Sequence, residues 1–284
     1  MKLSLDESEA EKAAEQVITD RGITSLPVCP FSIAKHHGIV VQPRESDVPG
    51  VSGFLMRVGN QFGIMYATHV KNDGFVRFTI GHELGHYFLP GHAEALFPPG
   101  VVMHESRSGY LSSDPRERQA DSFATALLMP EDLFLSALRD AGAGFEAIES
   151  LSKTCRTSIT ATAIRYARFA EDAVAVVVSR GQTIDYCFAS DALEKVRGLR
   201  GLRKGSPLPP GSLTVGFNQN ESSIAAGSQE DGYCQLDDWF EDVPSGIEMK
   251  EAVVGLGSYG RTLTVLYNES VLPDEDDDDY EDTD

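Results

Sequence analysis

Residues Phe78-Thr79-Ile80-Gly81-His82-Glu83-Leu84-Gly85-His86 set the reading of the rest of this chain. On a helix, positions four apart share a face, so His82 and His86 can hold one cation between them. Glu83 sits one position further round, where its carboxylate reaches a water beside that cation and is poorly placed to bind the ion itself. Ile80, Leu84, Tyr87 and Phe88 supply an apolar side that would bury the helix in a core. This division of labour suits metal-assisted hydrolysis, in which zinc brings the pKa of a water to about 7 and a carboxylate takes its proton.

A catalytic zinc has three protein ligands and one open position, so the motif asks for one more side chain. Asp114 to Pro130 offers it. Asp114 reads as a helix N-cap, Pro115 as the first helical residue, and Pro130 as the break at the far end. Glu117 and Asp121 lie on one face of that helix beside Ala120, Ala124, Leu127 and Leu128. Inward carboxylates are costly unless paired or metal-bound. Glu117 as third ligand, with Asp121 bonded to the free nitrogen of a metal-binding histidine, removes that cost. A rival ligand is His92, six residues after His86, the spacing of all-histidine sites. Those sites need glycine three residues after the second histidine, and this chain has Leu89 there, so Glu117 is favoured while the Pro90-Gly91 turn keeps His92 open.

Phe78 to His86, then Glu117-x-x-Ala120-Asp121-x-Phe123-Ala124 and Leu127-Leu128-Met129-Pro130, resembles the ImmA/IrrE family of metallopeptidases over roughly the first 170 residues. The resemblance implies one Zn2+ per chain on His82, His86 and Glu117, with Mn2+ less suited to this donor set, and Glu83 as the base. It also implies a zincin-like peptidase domain, a helix-turn-helix-like segment and a sensor domain of the GAF type behind it.

The chain has 284 residues, 41% of them hydrophobic, enough for a sizeable core and two domains. Nothing in it approaches the run of roughly 20 apolar residues that spans a bilayer, and Met1 to Glu7 lacks the apolar core of a signal peptide. Cys29, Cys155, Cys187 and Cys234 show no paired spacing, which suits a reducing cytoplasm. Of the net charge of −20, the tail from 274 to 284 contributes −9, leaving −11 on the remainder. Such a balance argues against a general nucleic-acid binder, because phosphate attraction dominates non-specific affinity. The tail reads as disordered and solvated.

Taken in order, Glu7 to Asp20 reads as an amphipathic helix, and Ser52 to Val58 with Gln61 to Tyr66 as a hairpin about Gly59-Asn60. One strand of that hairpin is the expected sheet edge on which a substrate pairs. Residues 90–113 read as a long Gly-, Pro- and Ser-rich loop in which His104 or Tyr110 could assist a developing oxyanion. Helices follow at 131–141, 145–153 and 158–170, the last two forming the helix-turn-helix-like segment, whose second helix would present Thr160, Thr162, Arg165 and Arg168. These are too few basic groups for a DNA reader, so helical packing and partner recognition are favoured over base readout. From 173 the pattern shifts to strands, at 174–179, 183–188, 213–217, 248–256 and 263–267. Between them, Lys195, Arg197, Arg200, Arg203 and Lys204 form the one basic cluster, a candidate patch for phosphate or nucleic acid.

The expected fold class is α+β, with a peptidase domain at 1–130, a helical segment at 131–172, a smaller mixed α/β domain at 173–270 and an acidic tail at 271–284. The expected function is zinc-dependent endoproteolysis in the cytoplasm, with no membrane partner. By resemblance, the substrate is a helix-turn-helix repressor whose cleavage derepresses stress-response, mobile-element or defence genes, with DNA or another nucleic acid as a candidate inducer. The alternatives are a DNA-binding regulator with a structural zinc, and an anti-repressor that binds without cutting.

Overall fold

The computed structural model describes residues 4–45, 50–69, 72–106 and 112–268, so Tyr110 and the acidic tail fall outside the described residues. Among the described residues the chain is mixed α/β with two sheets. It divides into two compact units, one of residues 2–141 with 150–161, the other of 142–149 with the residues from 162 onward.

The first unit begins with α1 (Leu5–Asp20), whose Ser4 and Glu7 satisfy each other's backbone amides in a capping box. After α2 (Pro30–His36) come β1 (Val40–Arg44), β2 (Gly53–Val58) and β3 (Gln61–Ala67). β2 and β3 form the expected hairpin, Val58 opposite Gln61, turned by Gly59 at φ 61°. The long helix α3 (Asp73–Phe88) starts on Asn72, whose side chain accepts from the Phe75 amide. Short α4 (His92–Leu96) and β4 (Met103–Ser106) precede α5 (Pro115–Leu128), which is capped by Asp114 with proline in its first turn, and α6 (Glu131–Leu138). α7 (Gly144–Cys155) and α8 (Ile159–Phe169) follow, each contributing residues to both units.

The first sheet runs β1-β3-β2-β4, with β1 parallel to β3 and the other pairs antiparallel. This corrects the expected edge. Both hairpin strands are interior, because β1 crosses over to pair with β3 and β4 pairs with β2. The open strand on the β2 side is β4, four residues inside the segment that reads as loop.

α3 packs on α5 more extensively than any other pair of elements. Gly81 and Gly85 permit the approach: a Cβ at Gly81 would lie 3.2 Å from the Ala124 Cβ, and one at Gly85 3.0 Å from the Ala120 Cα. Ile80, Leu84, Phe123 and Leu127 join Ala10, Ala14, Ile33, Leu55 and Ile64 in one buried core. Burying each of the large side chains there is worth about 1.5–3 kcal/mol. Arg77, on the same helix, is buried and anchors it by donating to the Val28 and Arg156 carbonyls.

The second helix of the helix-turn-helix-like pair is used for packing. Thr162 and Arg165 are buried, and the Arg165 guanidinium lies over the Phe169 ring. Two of the four side chains named for this helix, Thr162 and Arg165, are therefore withdrawn from solvent, in line with packing over base readout.

The second unit carries β5 (Ala173–Arg180), β6 (Thr183–Ala189), α9 (Asp191–Glu194), α10 (Leu213–Phe217), α11 (Glu221–Ala226), β7 (Gln229–Gln235), α12 (Leu236–Trp239), β8 (Glu248–Gly255) and β9 (Thr262–Asn268). Its sheet is antiparallel, in the order β6-β5-β9-β8-β7. Four of the five expected strands are present. The fifth, at 213–217, is α10: Ser212 caps its first turn, and buried Glu251 accepts from the Leu213 and Thr214 amides. The helix end and the carboxylate satisfy each other, which a short apolar run does not announce. On one face of the sheet Ala173, Ala175 and Val177 pack with Leu193, Val196, Leu208, Trp239 and Phe240.

Candidate metal centre

His82, Glu83 and His86 are fully buried on α3, and Glu117 comes to them from the first turn of α5. The Nε2 atoms of His82 and His86 lie 3.1 Å apart. Glu117 places Oε2 at 3.3 Å from His82 Nε2 and Oε1 at 3.2 Å from His86 Nε2. Donors bound tetrahedrally to one zinc at about 2.0–2.1 Å stand about 3.3 Å from each other, so the three side chains already have the right separation.

The proton positions make the same point. His82 Nδ1 is 2.7 Å from Asp121 Oδ1, and a carboxylate can only accept, so that nitrogen carries the hydrogen and Nε2 presents a lone pair. A proton competes for that lone pair: burial works against a charged His82, but the carboxylates of Asp121 and Glu117 outweigh it and raise its pKa to about 10. The cluster thus draws positive charge to the point where three donors converge. Burial also opposes ionisation of Glu117, yet His104, His82 and His86 hold it well below the usual carboxylate range. Glu117 Oε2, although 3.3 Å from His82, makes no hydrogen bond of proper geometry. Two acceptor atoms aimed at a common third point behave in this way. A divalent cation fits these residues.

Glu83 is the second mark of the site. Among the described residues neither of its carboxylate oxygens makes a hydrogen bond of proper geometry, and the facing Ser106 hydroxyl is the group that draws on it. Burial pushes the Glu83 carboxyl up to about 7 against the pull of His82. Room for it comes from β2, where a Cβ at Gly53 would sit 2.6 Å from Glu83 Oε1 and 2.5 Å from the Thr79 methyl.

His104 is brought to the rim. It projects from β4, less than a quarter exposed, with Nε2 3.3 Å from Glu117 Oε1. His92 is not the third ligand. Its Nδ1 lies 3.0 Å from His86 Nδ1, on the side of that ring away from the cluster, and its Nε2 lies 2.8 Å from Gln119 Oε1. The left-handed Gly91, at φ 78°, turns the chain so that His92 folds behind His86 instead of beside it. Gln119 carried no signal in the sequence. It stands between Glu117 and Asp121 on α5, and only the turn at Gly91 gives it a partner.

In the second unit Lys195, Arg197, Arg200, Arg203 and Lys204 are all exposed, Arg200 pairing with Asp242 at 3.4 Å. A cavity of about 350 Å³ beside that segment is lined by Cys187, Ala189, Glu194, Leu199, Gly201 and Phe240. Among the described residues no cysteine belongs to the candidate metal cluster, and no helix is long and apolar enough to cross a membrane.

Residues 34–165 match the family model described as the IrrE N-terminal-like domain, a peptidase family. No curated protein matches the sequence. A solved Mycobacterium tuberculosis transcriptional regulator is similar in fold at 14% identity, with a TM-score of 0.54 over 92% of this chain and 76% of its own.

Proposed function

Because residues 34–165 match the model of the IrrE N-terminal-like peptidase family, we propose that the chain is a zinc-dependent endopeptidase acting on a helix-turn-helix repressor. One observation carries the reading: three donors converge on one point beside the fully buried carboxylate of Glu83. A structural zinc is closed by a fourth ligand, and none joins His82, His86 and Glu117 among the described residues.

Bound by those three side chains, zinc supplies Lewis acidity toward a peptide carbonyl and a water. Glu83 takes the proton from the attacking water and passes it to the leaving amine, roles that suit a carboxyl held up to about 7. His104 stands where its imidazole meets the oxygen that gains charge. The substrate lies along β4. Residues 102, 104 and 106 turn their backbones to β2, which leaves the amides and carbonyls of Met103 and Glu105 unpaired with a strand among the described residues and free for an added one.

The second unit is assigned to signal sensing, on the support of the antiparallel sheet and the cavity beside the basic segment. That segment is the candidate contact for a nucleic-acid inducer. Cleavage of the repressor would derepress stress-response or defence genes.

The test is to purify wild type and Glu83→Gln, quantify metal, and mix each with the repressor encoded beside the gene. Zinc in both with cleavage by wild type alone is the expected result. Derepression that survives Glu83→Gln would replace the peptidase with an anti-repressor that binds without cutting.

A further inference from the structure

We propose that His92 and Gln119 form a neutral relay that fixes the ring and tautomer of His86 and thereby sets the affinity of the metal centre. The inference rests on the metal-site reading above and assigns a task to two residues that reading leaves idle. For His86 to offer a lone pair at Nε2, its hydrogen must sit on Nδ1. That hydrogen points at His92 Nδ1, 3.0 Å away, which must then be the acceptor. His92 therefore carries its own hydrogen on Nε2 and donates it over 2.8 Å to Gln119 Oε1. Both contacts are hydrogen bonds only when the protons run in this order or in its reverse.

The end of the chain decides which. The glutamine amide has an oxygen that accepts and a nitrogen that donates, so it can terminate the relay in either sense. With Oε1 toward His92, the order is the one that frees His86 Nε2 for a metal. With the amide turned over, its nitrogen donates to His92 Nε2, His92 Nδ1 donates to His86, and the hydrogen of His86 moves to the nitrogen that faces the cluster. Gln119 thus sets the polarity of a three-residue proton order from the far side of the ring.

The two histidines are consequently held by different means. His82 is backed by the Asp121 carboxylate, which can only accept. His86 is backed by neutral groups, and its tautomer depends on their orientation. His92 is 4% exposed, so water does not substitute for it freely. Partners of this kind behind a metal-binding histidine change metal affinity by roughly 10–100-fold.

The experiment measures zinc affinity by competition with a chromophoric chelator, together with the visible spectrum of the cobalt-substituted protein and the melting of the metal-free form. The variants are His92→Phe, Gln119→Leu and Gln119→Glu. His92→Phe is expected to lose roughly 10–100-fold in affinity and to alter the cobalt bands. Gln119→Leu is expected to lose less. Gln119→Glu, which can only accept, is expected to hold wild-type affinity or better, a rescue that mere packing at position 119 does not give. If His92→Phe also melts early, the Leu and Glu pair at position 119 decides alone. Variants that bind zinc as wild type does, with the same cobalt spectrum, overturn the relay and leave the metal site standing. A wild type that binds no zinc overturns both.

Discussion

Asp121 Oδ1 lies 2.7 Å from His82 Nδ1, and both side chains are buried, so the carboxylate and the imidazole orient each other without competition from water. Asp121→Asn replaces an obligate acceptor with an amide that can donate, which releases the His82 tautomer. Zinc affinity is expected to fall roughly 10–100-fold with little loss of fold. Chelator competition checks it, and unchanged affinity would remove Asp121 from the site.

Gly53 has the ordinary backbone of a strand, and its lack of a side chain serves Glu83. Gly53→Ala places a methyl against the Glu83 carboxylate and the Thr79 methyl. A cost of about 1–3 kcal/mol is expected from the crowding. Peptidase turnover should fall more than metal content does, since the base is displaced and the ligands are not. Full activity at normal metal loading would show that Glu83 has another place to go.

His104 touches Glu117 and projects from β4, the strand proposed to pair with the substrate. His104→Ala should lower kcat by roughly 10²–10³, the loss typical of one oxyanion donor. Metal binding should fall by far less. A variant that loses zinc in proportion to activity would make His104 a support for Glu117 only.

In the second unit burial pushes the Cys187 and Cys234 thiols and the Tyr186 phenol up to about 12. A folded pKa above the unfolded one means the fold binds the proton more tightly. Stability is therefore complete below about pH 9 and lost as pH climbs toward about 12, with Tyr186 contributing from about pH 10. The single tryptophan, Trp239, is buried in this unit and reports its unfolding. Its urea midpoint should decline from about pH 8 to about pH 11, and more shallowly in a Cys187→Ala/Cys234→Ala variant. A flat midpoint would contradict the burial of these groups.

The two helices of the metal centre were legible because their signals are local. The cap at Asp114, proline at 115 and donors four apart can be read without knowing the fold. Asp121 was legible for a thermodynamic reason, since an inward carboxylate demands a partner. The sheet edge was hidden because strand order depends on β1 crossing to β3 and on a four-residue β4 with no alternation long enough to notice. The place of His92 hung on one dihedral, the left-handed Gly91, and with it went Gln119. The stretch 213–217 has the composition of a strand and the shape of a helix, because the deciding partner, Glu251, lies 37 residues beyond Thr214.

Gly81 and Gly85 carry no donor atom, yet they act as the spacer of the metal centre. His82 and His86 ride on one helix and Glu117 on the other, so the gap between backbones sets how far apart the three donors stand. A methyl at either glycine would wedge the helices and widen the donor triangle. The spacing of the candidate donors is thus written in hydrogen atoms, at positions that a search for ligands would pass over.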